Sequence, residues 1–91
     1  MDPLIADLRR FIIENFLFGD ESADFSDDDS FQERAIVDST GILELVAHLE
    51  ETYGIDVTDA DLIPENLDSL TQVARFVQRK RRERNAEINA G

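Results

Sequence analysis

Residues 37–55 read VDSTGILELVAHLEETYGI. Apolar residues in this stretch recur every three or four positions, the spacing that places them on one face of an α-helix. The pattern predicts a helix from about Ser39 to Tyr53, and Gly54 suits the position that follows a helix end. The predicted buried face comprises Ile42, Leu45, Val46, Leu49 and Tyr53.

An amphipathic segment precedes this stretch. Pro3 suits a first helical turn, with Asp2 as its N-cap and Gly19 as its end. Its helical stripe is Leu4, Leu8, Phe11, Ile12, Asn15 and Phe16. The intervening residues 20–38 are acidic and rich in serine, which predicts a long surface loop that two phenylalanines, Phe25 and Phe31, pin to the core.

Two further helices are predicted downstream. A short extended link sends Ile55 and Val57 into the core, and Thr58 or Asp59 caps a brief third helix that includes Leu62 and Ile63, with Pro64 near its end. Asn66 caps the last helix, whose apolar residues are Leu67, Leu70, Val73, Ala74 and Val77. The predicted fold is therefore all-α: a small irregular four-helix bundle with three longer helices, a short third helix and a long first loop.

The chain is strongly acidic. It has 91 residues, with 9 Lys and Arg against 21 Asp and Glu and a net charge of −12, and residues 38–68 contain nine acids and no Lys or Arg. A surface of this kind repels nucleic acid and anionic membranes and favours partners with basic docking patches. A chain this short has one core and little room for a deep active site.

The C-terminal residues reverse this charge. Six of the nine basic residues lie between Arg75 and Arg84, so residues 1–74 carry a net charge of −16. Residues 1–79 are predicted to form the domain, and residues 80–91 a basic, flexible tail without apolar periodicity. Three roles stay open for its cations Lys80, Arg81, Arg82 and Arg84: extending the fourth helix, pairing with the acidic body, or contacting a partner.

The chain lacks the residues that several kinds of functional site require. The absence of cysteine excludes disulfides, thiolate nucleophiles and cysteine metal sites. A calcium loop beginning at Asp20 or Asp24 fails because the central Gly and closing Glu are missing. An acidic start, Met1-Asp2-Pro3, and the lack of an apolar run of about 20 residues predict a cytoplasmic protein without a signal peptide or membrane span.

Ser39 lies where the long loop meets the second helix. The preceding Asp38 and Ser39 itself are typical of helix starts, where free backbone N–H groups and the helix dipole stabilise an anion such as a phosphodiester. Taken alone, such a pair is most often a simple helix cap.

The wider stretch resembles the signature of acyl carrier proteins. The matching positions, in register, are Asp38-Ser39, Glu44-Leu45, Leu49-Glu50-Glu51 and Tyr53-Gly54-Ile55. The resemblance covers about residues 3–79 and includes the acidic residues 58–61 and the run Pro64-Glu65-Asn66-Leu67, placed at the opening of the fourth helix.

This resemblance implies a cofactor and a function. Ser39 would carry 4′-phosphopantetheine, attached covalently from coenzyme A by a phosphopantetheinyl transferase. The thiol of the arm would hold acyl or aminoacyl groups as thioesters, for loading and transfer enzymes of fatty acid, polyketide or other specialised biosynthesis. The chain, a monomer, would itself catalyse nothing.

The chain departs from the family pattern in two places. Thr40 and Gly41 follow the serine where the family usually has Leu, which favours a specialised carrier over the usual partners of fatty acid synthesis. A second run, Asp68-Ser69-Leu70, spells the commoner family tripeptide, but nothing after it matches the rest of the signature. We expect Ser69 to serve the first turn of the fourth helix.

The predicted second helix also predicts a docking face. With its apolar stripe turned inward, the outward residues beside Ser39 are Asp38, Thr40, Leu43, Glu44, Ala47 and Glu51. An exposed Leu43 among carboxylates suits a small transient interface, whereas the alternative is that Leu43 packs under the long loop.

Two functions from other classes remain open at this point. An acidic helical domain could be an unmodified interaction module, such as a nucleic-acid mimic that occupies a basic groove. A small metal-dependent enzyme could use Glu44, His48 and Glu51, which share one helix face, although such arrangements also arise on acidic helices without a metal, with His48 at the rim.

Overall fold

The computed structural model describes residues 2–17 and 25–90, including their side chains except at residues 2, 39 and 85–90. The α-helices are α1 (Asp2–Phe16), α2 (Ser39–Tyr53), α3 (Pro64–Leu67) and α4 (Leu70–Ala90), with a 3-10 turn at Asp59–Asp61. These described residues contain no strand, and the predicted all-α bundle is confirmed.

Helix α4 packs against each of the other three helices and forms one side of a single apolar core. Helix α1 contributes the fully buried Leu8 and Ile12, and α2 contributes Leu45 and Leu49. These residues belong to the stripes predicted from the 3.6-residue period. The rest of the buried cluster is Phe25, Phe31, Val37, Ile55, Leu67, Leu70, Val73, Ala74, Phe76 and Val77.

The loop before α2 is attached to the bundle at several points. Phe25 and Phe31 are buried, as predicted. The Arg9 guanidinium donates to the Phe25 carbonyl over 2.8 Å and forms an ion pair with Asp27 at 2.5 Å. These contacts hold the described part of the loop against α1. The expected end of α1 at Gly19 lies outside the described residues.

Two predicted boundaries are shifted. Asp2 is already the first residue of α1, one position inside the helix that it was expected to cap. The expected third helix is split, because the turn at Asp59–Asp61 ends before Leu62 and Ile63, which are both exposed.

Pro64 explains the split third helix. It begins α3 instead of ending a helix, since proline lacks an N–H donor and suits a first turn. The residue before a proline is driven out of the helical region, and Ile63 is extended, with φ −124° and ψ 151°. Asn66 was wrongly expected to cap the last helix. It lies buried in α3, and its side chain donates to the Asp61 carbonyl over 2.9 Å.

Helix α4 begins at Leu70 and continues to Ala90, beyond the predicted loss of regular structure after Lys80. The residues after Lys80 are mostly Arg, Glu, Ala and Asn, and the strong helix formers among them account for the continuation. Lys80 pairs with Asp61 at 2.6 Å, and the Arg84 guanidinium donates to the Gly54 carbonyl. Two of the three open roles, helix extension and pairing with the body, are thus confirmed. The division of the chain at residues 79 and 80 stays a prediction.

Candidate functional site

The site begins at the junction between the loop and α2. Asp38 is the N-cap in an extended conformation, and its Oδ1 accepts a hydrogen bond from the Gly41 N–H over 2.7 Å. Ser39 follows as the first residue of α2. The first four N–H groups of a helix lack intrahelical carbonyl partners, and Asp38 satisfies that of Gly41. This arrangement places Ser39 at the positive end of the α2 dipole.

Gly41 is buried and closely surrounded. A Cβ atom at this position would lie 2.7 Å from Cε1 of Phe16, 3.0 Å from Cγ1 of Val37 and 3.2 Å from Oδ1 of Asp38. A separation below 3 Å between carbon atoms forces something to move. Sequence reasoning noted Gly41 only as a departure from a family pattern, whereas the structure gives a steric reason for the glycine.

The outward face of α2 agrees with the prediction. Asp38, Thr40, Leu43, Glu44, Ala47 and Glu51 are all exposed. Leu43 is 62% exposed, so the alternative in which it packs under the long loop is wrong. An exposed leucine flanked by the carboxylates of one helix face provides a small apolar contact inside an acidic surface.

One flank of α2, beside the exposed face, contacts α1 through a row of aromatic rings. The Phe16 and Phe11 rings meet edge to face with centroids 5.9 Å apart. The Phe11 ring then stacks on His48 at 3.9 Å, and His48 meets Tyr53 edge to face at 6.1 Å. The row extends from the first turn of α2 to its last residue. We refer to these four residues, Phe16, Phe11, His48 and Tyr53, as the aromatic row.

Burial changes the titration of two members of this row. It lowers the pKa of His48 below its ordinary value, although the charges of Asp7 and Glu51 act in the opposite direction. It raises the pKa of the Tyr53 hydroxyl, and Asp7 adds to that effect while Arg81 opposes it. His48 is therefore a half-buried rim side chain that favours its neutral form.

The metal-enzyme alternative has no support in the described residues. His48 stacks on Phe11, and its Nδ1 lies 3.2 Å from the Thr52 hydroxyl. Among the side chains that the structure describes, no group of three or more His, Asp or Glu is arranged to hold a metal ion.

An apolar groove opens beside the start of α2. It lies between the loop, α2 and the residues before α3, and consists of two adjoining hollows that share Gln32, Ile42 and Leu62. One hollow reaches Asp38 and Leu43, so the groove begins next to the residue that precedes Ser39. The other lining residues are Ala35, Val37, Ile63, Pro64, Leu67 and Asp68.

The second Asp-Ser pair has structural contacts. Ser69 directly precedes α4 and is 4% exposed, and its hydroxyl accepts from the Gln72 N–H over 3.1 Å. It is the cap of α4, one position before the helix in which it was expected to lie. Asp68 accepts hydrogen bonds from the Ser30 hydroxyl at 2.5 Å and the Gln32 N–H at 3.1 Å, which tie the loop to the start of α4.

A comparison with known protein families identifies the family of the chain. A family model described as the phosphopantetheine attachment site matches residues 17–77, which run from the end of α1 into α4. The chain belongs to this family. Members of the phosphopantetheine attachment family carry a covalently attached 4′-phosphopantetheine group, and these carrier domains are not themselves catalytic. No curated protein matches the chain.

The start of α2 fits this prosthetic group. A phosphodiester is an anion, and the positive end of a helix is a favourable place for one. Thr40 and Leu43 on the adjoining turn are exposed, and the groove beside Asp38 offers apolar surface to a linear arm. In the described part of the chain, no helix combines the length and hydrophobicity needed to cross a membrane.

Proposed function

We propose that the chain is an acyl carrier protein and that Ser39 is the residue to which 4′-phosphopantetheine is attached. The position of Ser39 carries this proposal. It is the first residue of α2, it follows the capping Asp38, and it lies within the matched region. The other serine in an Asp-Ser pair, Ser69, is buried and engaged as a cap.

The attachment reaction is a phosphoryl transfer to the serine. The Ser39 hydroxyl attacks the β-phosphorus of coenzyme A, a new P–O bond forms, and the anhydride P–O bond breaks. 3′,5′-ADP leaves with the bonding electrons, and a base supplied by the transferase takes the serine proton. The attached arm supplies a thiol that holds acyl or aminoacyl groups as thioesters, which explains how a chain without cysteine can carry them.

The exposed face of α2 supports docking of partners with basic patches. Leu43 provides the apolar contact, and the carboxylates of Glu44 and Glu51 attract cationic side chains around it. The partners we propose are a phosphopantetheinyl transferase and enzymes that load and transfer acyl or aminoacyl groups.

The groove supports an acyl rather than a purely polar cargo. Burial of a methylene group contributes about 0.8 kcal/mol, so a short acyl chain lying on Ile42, Leu62 and Ile63 gains a modest stabilisation. Thr40 after the serine favours a specialised pathway, and this pathway, the monomeric state and the cytoplasmic location stay predictions.

Intact-protein mass spectrometry tests the attachment site. The chain is incubated with coenzyme A, magnesium and a promiscuous phosphopantetheinyl transferase, beside Ser39→Ala and Ser69→Ala. We expect one phosphopantetheine to be added to the wild type and to Ser69→Ala, and none to Ser39→Ala. If folded wild-type chain gains no mass with several transferases, an unmodified acidic interaction module replaces the carrier as the best-supported function.

A further inference from the structure

A close approach between α1 and the start of α2 lies two residues from Ser39, at Gly41. Phe16 is the last residue of α1, and its ring edge occupies the space into which a Cβ at Gly41 would project, with 2.7 Å between them. The same Cβ would meet Val37, which is buried, at 3.0 Å. The first turn of α2 is thus confined by α1 on one side and by the loop on the other.

The Phe16 ring also contacts a second aromatic ring of α1. Its partner in the aromatic row, Phe11, meets it edge to face at 5.9 Å, and Phe11 is stacked on His48 of α2 at 3.9 Å. Movement of the Phe16 ring therefore alters its contact with Phe11, the residue that α1 stacks on His48 of α2. A side chain at position 41 must therefore displace either the ring or the first turn of α2.

Displacement of this turn reaches Ser39 through the cap. The Gly41 N–H donates to Oδ1 of Asp38, and a Cβ at position 41 would lie 3.2 Å from that oxygen. Asp38 and Gly41 flank Ser39 and Thr40, so a shift of the cap moves the backbone that carries the serine.

We propose that Phe16 and Gly41 form a positioning pair that sets where the first turn of α2 lies and thereby aligns Ser39 for modification. This inference rests on the proposed attachment at Ser39. Phe16 acts through Gly41 and not through contact with the reacting atoms. In-line attack on phosphorus depends on the placement of the nucleophile, so a small displacement should reduce the rate of the chemical step more than the affinity for the transferase.

The test is a size-exchange experiment on the full chain. Gly41→Ala adds the obstructing methyl group, Phe16→Leu removes the obstructing ring edge, and the double variant combines both. The kcat and KM of a phosphopantetheinyl transferase are measured for each apo protein. A remote core substitution, Val73→Ala in α4, serves as the control for lost stability.

The expected pattern separates positioning from stability. Gly41→Ala should lower kcat about tenfold with little change in KM, and Phe16→Leu in the double variant should restore most of it. Val73→Ala, compared at a temperature where all variants are folded, should be modified at the wild-type rate. The backbone amide resonances of residues 38–42 should shift in Gly41→Ala and return toward wild type in the double variant.

Other outcomes overturn the inference. A Gly41→Ala chain that is modified at the wild-type rate removes the positioning role, and so does a double variant that is no faster than Gly41→Ala. An equal rate loss in Val73→Ala assigns the effect to stability. A wild-type chain that is never modified at Ser39 contradicts the proposed function itself, which distinguishes the two failures.

Discussion

The rings of Phe11 and His48 are stacked, with centroids 3.9 Å apart and planes inclined by 14°. This contact joins the middle of α1 to the middle of α2. It keeps the imidazole partly out of water, and burial therefore lowers the pKa of His48. The contact links the packing of the two helices to pH.

The stability of the bundle should accordingly depend on His48 near neutral pH. The unfolded chain binds a proton at about pH 6.5, whereas the native chain resists protonation to lower pH. The stabilising contribution is therefore complete above pH 6.5 and is lost as pH falls through the lowered pKa. His48→Phe keeps a ring in the stack but cannot titrate.

Urea unfolding of wild type and His48→Phe at pH 7.5, 6.5 and 5.5 measures this effect. The difference in unfolding free energy between the two proteins should shift in favour of His48→Phe as pH falls, and the shared carboxylates cancel in that difference. Parallel pH dependences in the two proteins would contradict the prediction.

The ion pair between Lys80 and Asp61 should stabilise the connection between α2 and α3. Both side chains are largely buried, 19% and 17% exposed, and the hydrogen bond from Lys80 is the main cause of a lowered Asp61 pKa. Lys80→Gln should reduce the unfolding free energy at pH 7 by roughly 1–2 kcal/mol, between the values typical of exposed and buried pairs.

The sign of the pH dependence follows from the lowered pKa of Asp61. The contribution of the pair is present above about pH 4 and disappears as pH falls through the pKa of the folded state. Denaturant unfolding at pH 7 and pH 3 should therefore show a gap between wild type and Lys80→Gln that closes in acid. Arg82→Gln replaces an exposed residue of the same helix and should leave the unfolding free energy nearly unaltered at both pH values.

Loss of the α4 cap should affect stability but not modification. Ser69→Ala removes the hydroxyl that accepts from the Gln72 N–H, which should cost about 1 kcal/mol and lower the melting temperature by about 4–8 °C. Circular dichroism melting gives the shift, and transferase kinetics at 20 °C should match wild type. A large rate loss in folded Ser69→Ala would assign this serine a role in modification.

Charge reversal on the docking face should weaken partner binding. Glu44→Lys changes an exposed carboxylate one turn from Thr40, and we expect a several-fold rise in the transferase KM with an intact fold. The effect should shrink as salt is added, because screening weakens charge attraction. Glu14→Lys makes the same charge change on the exposed side of α1 and serves as the matched control. Equal modification rates for wild type and Glu44→Lys would refute the proposed face.

Local periodicity was enough to predict α1, α2 and the outward face of α2. Each of these depends on neighbours within one or two helical turns, such as Leu45 with Leu49. The region around Pro64 was predicted wrongly, because proline near an apolar segment is compatible with the end of one helix and with the first turn of the next.

The candidate site shows the same limit of prediction from local sequence patterns. The helix start at Asp38-Ser39 is a local feature and was predicted, whereas the steric role of Gly41 depends on Phe16, which lies 25 positions earlier in the chain. The structural role of Asp68 depends likewise on Ser30, 38 positions away. Hydrophobic periodicity in the sequence does not indicate such contacts, since they depend on how the helices pack.

The hydrogen bonds from Ser30 and Gln32 to Asp68 hold the loop that leads to Ser39, and this loop should therefore reach its final shape only once Asp68 is in place. Contacts between residues so far apart in sequence form only after the intervening chain has been synthesised and its two ends have come together, which closes a loop. Nascent chains that end before Asp68 should therefore be poor substrates for modification even when α1 and α2 are complete, which a series of truncated chains can measure. On the proposed function, the arm would then be attached only to chains that have finished folding, and unfinished chains would remain without cargo.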